Sequence, residues 1–317
     1  MRIWKHTPKD ALLLGYSIAQ PVLTVRAATL WDSSPVWAGV GGGVLVAVLT
    51  AYNIIVVSHL FTHVPWFTSA RLNAVGSLLN SVNIGQSVQA YHLTHVRNHH
   101  RFNNDPIGED GTTRDTSSTY RDGRDGEHAP LLRYIVLGAL ETFADRGREV
   151  LMVHRLWRVG PRERKLLSLA HNREPRRTRE LRQIQADRAA HCLALAGLAW
   201  ISWQWTLLVY LPAFFVALVL VNVQNYYRHY GADPSDRTAD SVSYYGRFYN
   251  LIAFNDGYHQ EHHLSPASHW SQLPDVRERR LDGLDSPPRI ISPVPAMLGF
   301  LHRSRPLLHR REAGSTR

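Results

Sequence analysis

The chain alternates between apolar blocks that contain no charge and long polar stretches rich in arginine. Residues 35–57 read PVWAGVGGGVLVAVLTAYNIIVV. At a rise of about 1.5 Å per residue, a helix of this length crosses the roughly 30 Å hydrocarbon core of a bilayer. Residues 189–222 form a second uncharged block, which is too long for one crossing. We therefore predict a helical hairpin there that turns at residues 203–205, where two tryptophans suit a membrane interface.

The charged stretches give these segments an orientation. A weaker apolar stretch, 11–30, precedes the first block and completes a hairpin with it. The positive-inside rule keeps the arginine-rich stretches on the cytoplasmic side. The pattern predicts an all-α integral-membrane protein, a single domain over residues 1–317, with about four transmembrane helices in two hairpins. Its predicted parts are spans 11–30, 35–57, 189–203 and 206–222, a cytoplasmic helical cap 91–188 and 228–300, and a basic tail 301–317.

The chain is basic in composition, but its sequence does not indicate a nucleic-acid partner. The chain has 36 Lys and Arg residues against 26 Asp and Glu, a formal charge of +10. Acidic and basic residues are interleaved between residues 91 and 188, and no zinc-finger, RNP-like or helix-turn-helix pattern occurs. The single cysteine, Cys192, excludes an internal disulfide and an all-cysteine zinc site. We predict no nucleic-acid binding.

Histidines supply the candidate chemistry, because most of the 18 in the chain are clustered beside apolar blocks. The motif HLFTH (59–63) ends the first strong span, and HVRNHH (95–100) follows an amphipathic segment. The i, i+4 spacing within each motif puts two imidazoles on one face of a helix, able to hold one metal ion. HQEHH (259–263) follows FNDGY, and His229 stands in NYYRHYG just beyond the last span.

A ligand set made of imidazoles narrows the choice of metal ion. Neutral imidazole suits zinc, iron, copper and nickel, whereas magnesium and calcium prefer oxygen. A catalytic zinc needs about three protein ligands, so nine or ten histidines indicate two ions of higher coordination. Two redox metals near a bilayer point to oxygen chemistry on a hydrocarbon, because an unactivated C–H bond does not react with an acid, a base or a nucleophile. The sequence has no Rossmann glycine pattern, P-loop or CxxC motif, so electrons are expected from a separate donor.

HLFTH, HVRNHH and HQEHH resemble the three histidine boxes of the integral-membrane fatty acid desaturase and hydroxylase superfamily, over residues 59–270. The resemblance implies a helical membrane fold with a cytoplasmic cap, two non-haem iron ions, and O2 as co-substrate. It also implies a membrane lipid or acyl substrate and an electron-transfer protein of the ferredoxin, rubredoxin or cytochrome b5 type, with a reductase. Carried over by position, the implied iron ligands are His59, His63, His95, His99, His100, His229, His259, His262 and His263.

Details of the motifs leave the reaction outcome open. The middle box is HxxxHH, where many acyl desaturases have HxxHH, and NYYRHYG is similar to a segment of the membrane alkane monooxygenases. FNDGYHQEHH, in contrast, is similar to bacterial sequences usually called fatty acid desaturases. Our first prediction is O2-dependent desaturation of a fatty acyl or lipid-like chain. The alternative is a hydroxylase or monooxygenase of an alkyl chain or specialised metabolite.

Several further residues and one rival class complete the sequence predictions. His92 is extra to the motif, and we interpret it as a neighbour of the ligands. Asp105, Asp256 and Glu261 are candidates to orient imidazole N–H groups, as metal-bound histidines require. The rival is a histidine-rich zinc-binding membrane transporter or hydrolase, although a transporter should carry ionisable ligands inside its spans. We expect an integral protein of a bacterial cytoplasmic membrane, with the active site on the cytoplasmic side.

Overall fold

The computed structural model describes residues 2–151, 161–281 and 288–310, and these are mostly helical. The α-helices are α1 (Asp10–Thr29), α2 (Val36–Tyr52), α3 (Ser58–His63), α4 (Ala70–Ile84), α5 (Val88–Thr94), α6 (His100–Phe102), α7 (Gly138–Leu151), α8 (Pro161–Leu169), α9 (Arg176–Ile201), α10 (Trp203–Trp205), α11 (Leu211–His229), α12 (Arg247–Ile252), α13 (His259–Leu264) and α14 (Leu273–Val276). The π-helical turns are Asn53–Val57, His95–His99, Arg133–Leu137, Thr206–Tyr210 and Arg277–Leu281. The 3-10 turns are Trp31–Ser33, Trp270–Gln272, Ala296–Leu301 and Leu308–Arg310. The strands are β1 (Val242–Ser243) and β2 (Ile290–Ile291).

The chain divides into two compact units. The first unit comprises Met1–His95 and Gly138–Val221, and the second comprises Val96–Leu137 and Asn222–Arg317. This division into compact units does not test the single domain that we predict over residues 1–317, which stays a prediction. Of the predicted tail, residues 311–317 lie outside the described residues.

Helix α1 of the first unit turns its polar side chains inward and its apolar side chains outward. Ser17, Gln20 and Thr24 are buried, while Leu12 and Val22 are more than half exposed. The buried side chains bond to one another and to neighbouring helices: Ser17 Oγ donates to Asn80 Oδ1 at 2.7 Å, and Asn53 Nδ2 donates to Gln20 Oε1 at 3.0 Å. Such an arrangement suits a helix whose surroundings are lipid, because exposed apolar faces of this extent are rare in soluble monomers.

Three helices in the described part of the chain are long and apolar enough to cross a membrane. They are Asp10–Thr29, Val36–His63 and Trp203–His229, which correspond to the predicted spans 11–30, 35–57 and 206–222. Residues 189–201 of the predicted span 189–203 instead form the C-terminal half of α9, whose N-terminal half carries Glu180, Asp187, Arg188 and several other arginines. The chain turns at Ser202, directly before the predicted turn residues, and the Ser202 side chain caps α10.

A buried carboxylate holds together three helices of the first unit. Asp187 on α9 is fully buried, and its oxygens accept hydrogen bonds from Ser77 Oγ at 3.0 Å, Ser87 Oγ at 2.9 Å and Gln183 Nε2 at 2.7 Å. The backbone N–H of Gln89 donates to the same carboxylate at 3.1 Å. Because the donors come from α9, α4 and the start of α5, this one side chain fixes how the three helices meet.

Replacing Asp187 with alanine is expected to destabilise the protein by about 3 kcal/mol or more, because each buried donor left without a partner costs about 1–3 kcal/mol. The measurement is the thermal unfolding midpoint in detergent, with Asp32→Ala as the exposed control. An unchanged midpoint for Asp187→Ala would show that water replaces the carboxylate at no cost.

The second unit is built around a short parallel strand pair and the histidine-bearing helix α13. β1 and β2 pair through Val242 opposite Ile290 and Ser243 opposite Ile291. Ser243 also anchors α13, since its hydroxyl accepts from the Gln260 backbone N–H at 2.9 Å and donates to Glu261 Oε2 at 2.9 Å. A small apolar core lies beside the strands and consists of Ala232, Ala239, Val242, Ile290 and Leu308.

Candidate metal centre

Three histidines of the first unit converge. His59 and His63 lie one turn apart on α3, as their i, i+4 spacing requires, and His95 follows α5. The ring centroids are 5.0 Å apart for His59 and His63, 4.6 Å for His59 and His95, and 5.0 Å for His63 and His95. One ring nitrogen of each lies within 4.8 Å of one ring nitrogen of each of the others, a spacing that could hold a metal ion.

His92 lies beside this trio and has a backbone contact. Its Nδ1 is 2.8 Å from the carbonyl oxygen of Thr62, the residue that precedes His63. This contact orients the His92 ring towards the backbone of α3. The interpretation of His92 as a neighbour of the ligands stays a prediction.

A second cluster, made of His99, His229 and His263, is buried in the second unit. Their ligand nitrogens lie within 4.8 Å of one another, and the ring centroids are 4.9–5.0 Å apart. None of the three is more than 2% exposed. His259 joins the cluster, since its Nε2 lies 3.4 Å from His229 Nε2. The structure thus brings together histidines from three motifs, the first of which lies more than a hundred residues before the other two.

His100 and His262 form a further pair within the second unit. Their ring centroids are 4.7 Å apart, and the His100 ring lies 4.5 Å from that of His263. His100 follows His99 directly, so its side chain leaves the helix about 100° away from that of its neighbour. Adjacent histidines therefore serve different contacts, as the HH pairs of the two boxes suggest.

The protonation state of the second unit's histidines suits a metal. Burial is the main cause that lowers the pKa of His259 and His263 well below the ordinary value, with smaller effects from nearby arginines and histidines. Both rings are therefore neutral at pH 7, which is the form that coordinates a metal. Within the described part of the chain, neither buried ring nitrogen of His263 has a hydrogen-bond partner. An unsatisfied buried imidazole is costly, and a bound metal ion would satisfy one of its two nitrogens. The residues fit a metal of the iron or zinc type.

Asp115 orients His99, and sequence reasoning missed it. Its Oδ2 lies 2.7 Å from His99 Nδ1, and the carboxylate is fully buried. Burial alone would raise the pKa of Asp115, but the adjacent His99 and the N–H and hydroxyl of Ser117 outweigh it and lower that pKa. An ionised carboxylate on Nδ1 fixes the tautomer and leaves Nε2 to face the cluster. Asp115 lies in a polar loop with several other aspartates, so no sequence signal singles it out.

Asp105, which we predict to orient a histidine, contacts Asp115 and Arg114, and it is Asp115 that contacts His99. The Asp105 oxygens accept hydrogen bonds from the backbone N–H of Asp115 at 2.8 Å and from Arg114 at 2.9 and 3.1 Å. The preceding Asn103 and Asn104 adopt left-handed backbone conformations, and the Asn104 N–H also donates to Asp115 at 2.9 Å. The NND turn after the second box therefore positions the loop that carries Asp115.

A second contact that the sequence does not reveal involves Asp240. Its backbone carbonyl lies 3.2 Å from His229 Nδ1, and its Oδ1 lies 3.7 Å from His263 Nδ1. Burial raises the pKa of Asp240 to about 6. The contact with His229 directs that ring's Nε2 towards His259. Asp240 lies in the loop before β1, whose placement depends on the tertiary fold.

The other two predicted carboxylates hold the frame around α13. Asp256 forms an ion pair with Arg228 and accepts a hydrogen bond from Tyr249 Oη at 2.7 Å. Glu261 accepts from Tyr245 Oη at 2.6 Å and from Ser243, and burial raises the pKa of Glu261. Both carboxylates therefore bind elements that support the third box and the end of α11.

The third box is placed by a tight turn at FNDG. Phe254 and Asn255 both have positive φ, at 50° and 59°. Gly257 follows, where a Cβ would lie 2.2 Å from the Tyr244 carbonyl oxygen, so no larger residue fits. The Gly257 carbonyl accepts from the Tyr244 N–H at 2.8 Å, which joins the turn to the segment after β1 and starts α13 at His259.

The fold and the site define a mostly helical protein with membrane-length apolar helices and clustered histidines suited to a metal. Comparison with known proteins agrees with this class. The fatty acid desaturase family model matches residues 35–290, most of the chain. This protein therefore belongs to the fatty acid desaturase family. Its three described membrane-length apolar helices agree with that membership.

Two curated relatives are similar to short parts of the chain. A sphingolipid delta(4)-desaturase of Candida albicans is 39% identical over 54 residues, which cover 17% of this chain and 14% of the relative. A sphingolipid delta(4)-desaturase of Komagataella phaffii is 33% identical over 84 residues, which cover 26% and 23%. The matches thus span less than a quarter of each relative. Both relatives are fungal, so they do not support the bacterial origin that we expected from the sequence.

Proposed function

We propose that this protein is a di-iron desaturase that acts on the acyl chain or the long-chain base of a lipid. The nine histidines of the boxes and NYYRHYG hold two iron ions: His99, His229 and His263 serve one ion, the trio His59, His63 and His95 contributes to the other, and His100, His259 and His262 supply further ligands. The observation that carries this proposal is the buried cluster of His99, His229 and His263 in the second unit, together with Asp115 on His99.

Bound iron would supply the O2-dependent oxidising power that removes hydrogen from an unactivated C–H bond. In desaturation, the substrate loses two hydrogens, and O2 takes these together with two electrons and two protons to form two waters. The two electrons come from a separate carrier of the ferredoxin, rubredoxin or cytochrome b5 type. The protein's own part is to bury the site, hold neutral imidazoles in place and keep water from the reacting carbon.

The desaturase outcome is favoured over hydroxylation by the comparisons. Both curated relatives carry the name sphingolipid delta(4)-desaturase. From this similarity we propose a lipid chain as the substrate class. Hydroxylation begins with the same hydrogen abstraction and ends with one oxygen in the product and one water. The HxxxHH middle box and the NYYRHYG segment keep it as the second candidate.

The membrane arrangement of four spans is also part of the proposal. The C-terminal half of α9 would be the fourth span, since Leu193 and Trp200 on it are 73% and 91% exposed. Large apolar side chains at such exposure are suited to lipid contact. The arginine-rich stretches would then lie together on the cytoplasmic face, with the histidines next to them.

Product mass decides between the two outcomes. Purified protein with a reductase, its carrier and O2 should convert a sphingoid or acyl lipid into a product that is lighter by two hydrogens. A product heavier by one oxygen would establish the hydroxylase instead. Zinc in the purified protein, with an activity that persists without O2, would overturn both and support the zinc-enzyme alternative.

A further inference from the structure

The segment after residue 301 packs back onto the end of helix α11, which carries His229. The Leu308 N–H donates to the Gly231 carbonyl at 2.6 Å, and the Leu308 side chain is buried in the small apolar core of the second unit. Gly231 has a φ of 83°, and a Cβ on it would lie 2.8 Å from the Pro306 carbonyl oxygen. The turn that follows His229 is therefore closed by this segment.

Arg305 is the buried cation of that segment. The residue is only 8% exposed, and its Nη1 donates to the Tyr227 carbonyl at 2.7 Å and to the Tyr230 carbonyl at 3.3 Å. These two carbonyls flank His229 on either side in the sequence. The guanidinium also lies 5.3 Å from the Tyr227 ring centroid, and its Nε contacts His302 Nδ1 at 3.3 Å.

The end of a helix explains why a cation is buried here. The last carbonyls of a helix lack intrahelical partners and carry about half a negative charge. In the described part of the chain, Arg305 has no carboxylate within ion-pair distance, so the carbonyls at the end of α11 are its counterpart. Burial lowers the pKa of Arg305 to about 10, and the group therefore stays charged at pH 7.

We propose that Arg305 is a positioning residue for His229: by bridging the carbonyls of Tyr227 and Tyr230, it fixes the last turn of α11 and thereby the direction of the His229 imidazole. The proposal rests on the proposed function, which makes His229 an iron ligand. The segment after residue 301 then helps to position a ligand of the metal centre, although it lies outside all three histidine boxes.

The test compares Arg305→Gln and Arg305→Lys with Arg303→Gln, which changes an exposed arginine of the same segment. The first readout is the rate at which a chelator removes Fe(II). The second is the visible absorption of the protein loaded with Co(II), which reports ligand geometry. The third is hydrogen exchange of the backbone amides at 228–232 in the metal-free protein.

Arg305→Gln should release Fe(II) about tenfold faster, the lower end of the loss seen for outer partners of metal ligands. Its Co(II) spectrum should change, and exchange at 228–232 should be faster, while Arg303→Gln should match the wild type in all three readouts. Arg305→Lys keeps the charge but loses the planar guanidinium beside the Tyr227 ring and the Nε contact with His302, so an intermediate release rate is expected.

Unchanged metal release and an unchanged Co(II) spectrum in Arg305→Gln would overturn the proposal. If that variant fails to fold, Arg305→Lys decides by the same two readouts. A wild type that binds neither metal would refute the proposed function instead. Exchange at 228–232 in the metal-free protein still shows in that case whether Arg305 holds the helix end.

Discussion

Replacing His263 with alanine is expected to abolish turnover and to leave no more than about one tightly bound iron per chain. His263 lies at the centre of the second unit's cluster, with its ring 4.5–5.0 Å from those of His99, His100, His229 and His259. Removing it deletes a proposed ligand and opens a cavity among the neighbouring imidazoles. The loss of turnover should exceed the roughly 10- to 100-fold effect of removing a partner outside the ligand shell.

The matched control is His171→Ala, a histidine outside the boxes whose ring Nδ1 accepts from the Arg173 backbone N–H at 3.0 Å. Iron content and product formation are measured on the same preparations. His263→Ala with full iron content and undiminished turnover would remove this residue from the ligand set. The cluster of His99, His229 and His263 would then need another explanation.

Replacing Asp115 with asparagine is expected to lower iron affinity by about 10- to 100-fold, because a neutral amide supports the His99 imidazole less well than a carboxylate does. The substitution keeps the shape, and the amide oxygen can still accept one N–H. The measurement is competition for Fe(II) against a chelator of known affinity, with thermal unfolding of the metal-free protein as a check on folding.

Asp110→Asn is the control for Asp115, since Asp110 is an exposed aspartate of the same loop. It should leave iron affinity unchanged. Equal affinities for wild type and Asp115→Asn would indicate that another group sets the His99 tautomer. Ser117 is the candidate in that case, because its Oγ lies 3.1 Å from the same His99 Nδ1.

The sequence predicted the helical class and the histidines, since both follow from local patterns. Charge-free blocks mark two of the three membrane-length helices, and a weaker apolar stretch marks the third. The i, i+4 spacing of His59 and His63 alone puts their rings side by side on α3. The predicted span 189–203 was harder to judge. Its apolar residues continue without a break from the charged half of α9, so no local signal separates a spanning segment from a long helix.

The supporting residues could not be found in the same way, because tertiary contacts select them. Asp105 lies five residues after the second box and is a candidate from the sequence to orient a histidine, yet its carboxylate holds the backbone of Asp115. Asp115 itself makes the contact, 16 residues after His99. Arg305 reaches the end of α11 from 75 or more residues away, a contact that no spacing rule predicts.

Mössbauer spectroscopy of the metal-free protein, reconstituted anaerobically with ⁵⁷Fe(II), tests whether the histidines hold two irons. About two irons per chain are expected in nitrogen-rich sites, with oxidation of both when O2 and substrate are added. Failure to bind ⁵⁷Fe in the histidine sites, or iron that does not respond to O2 and substrate, would contradict the di-iron proposal.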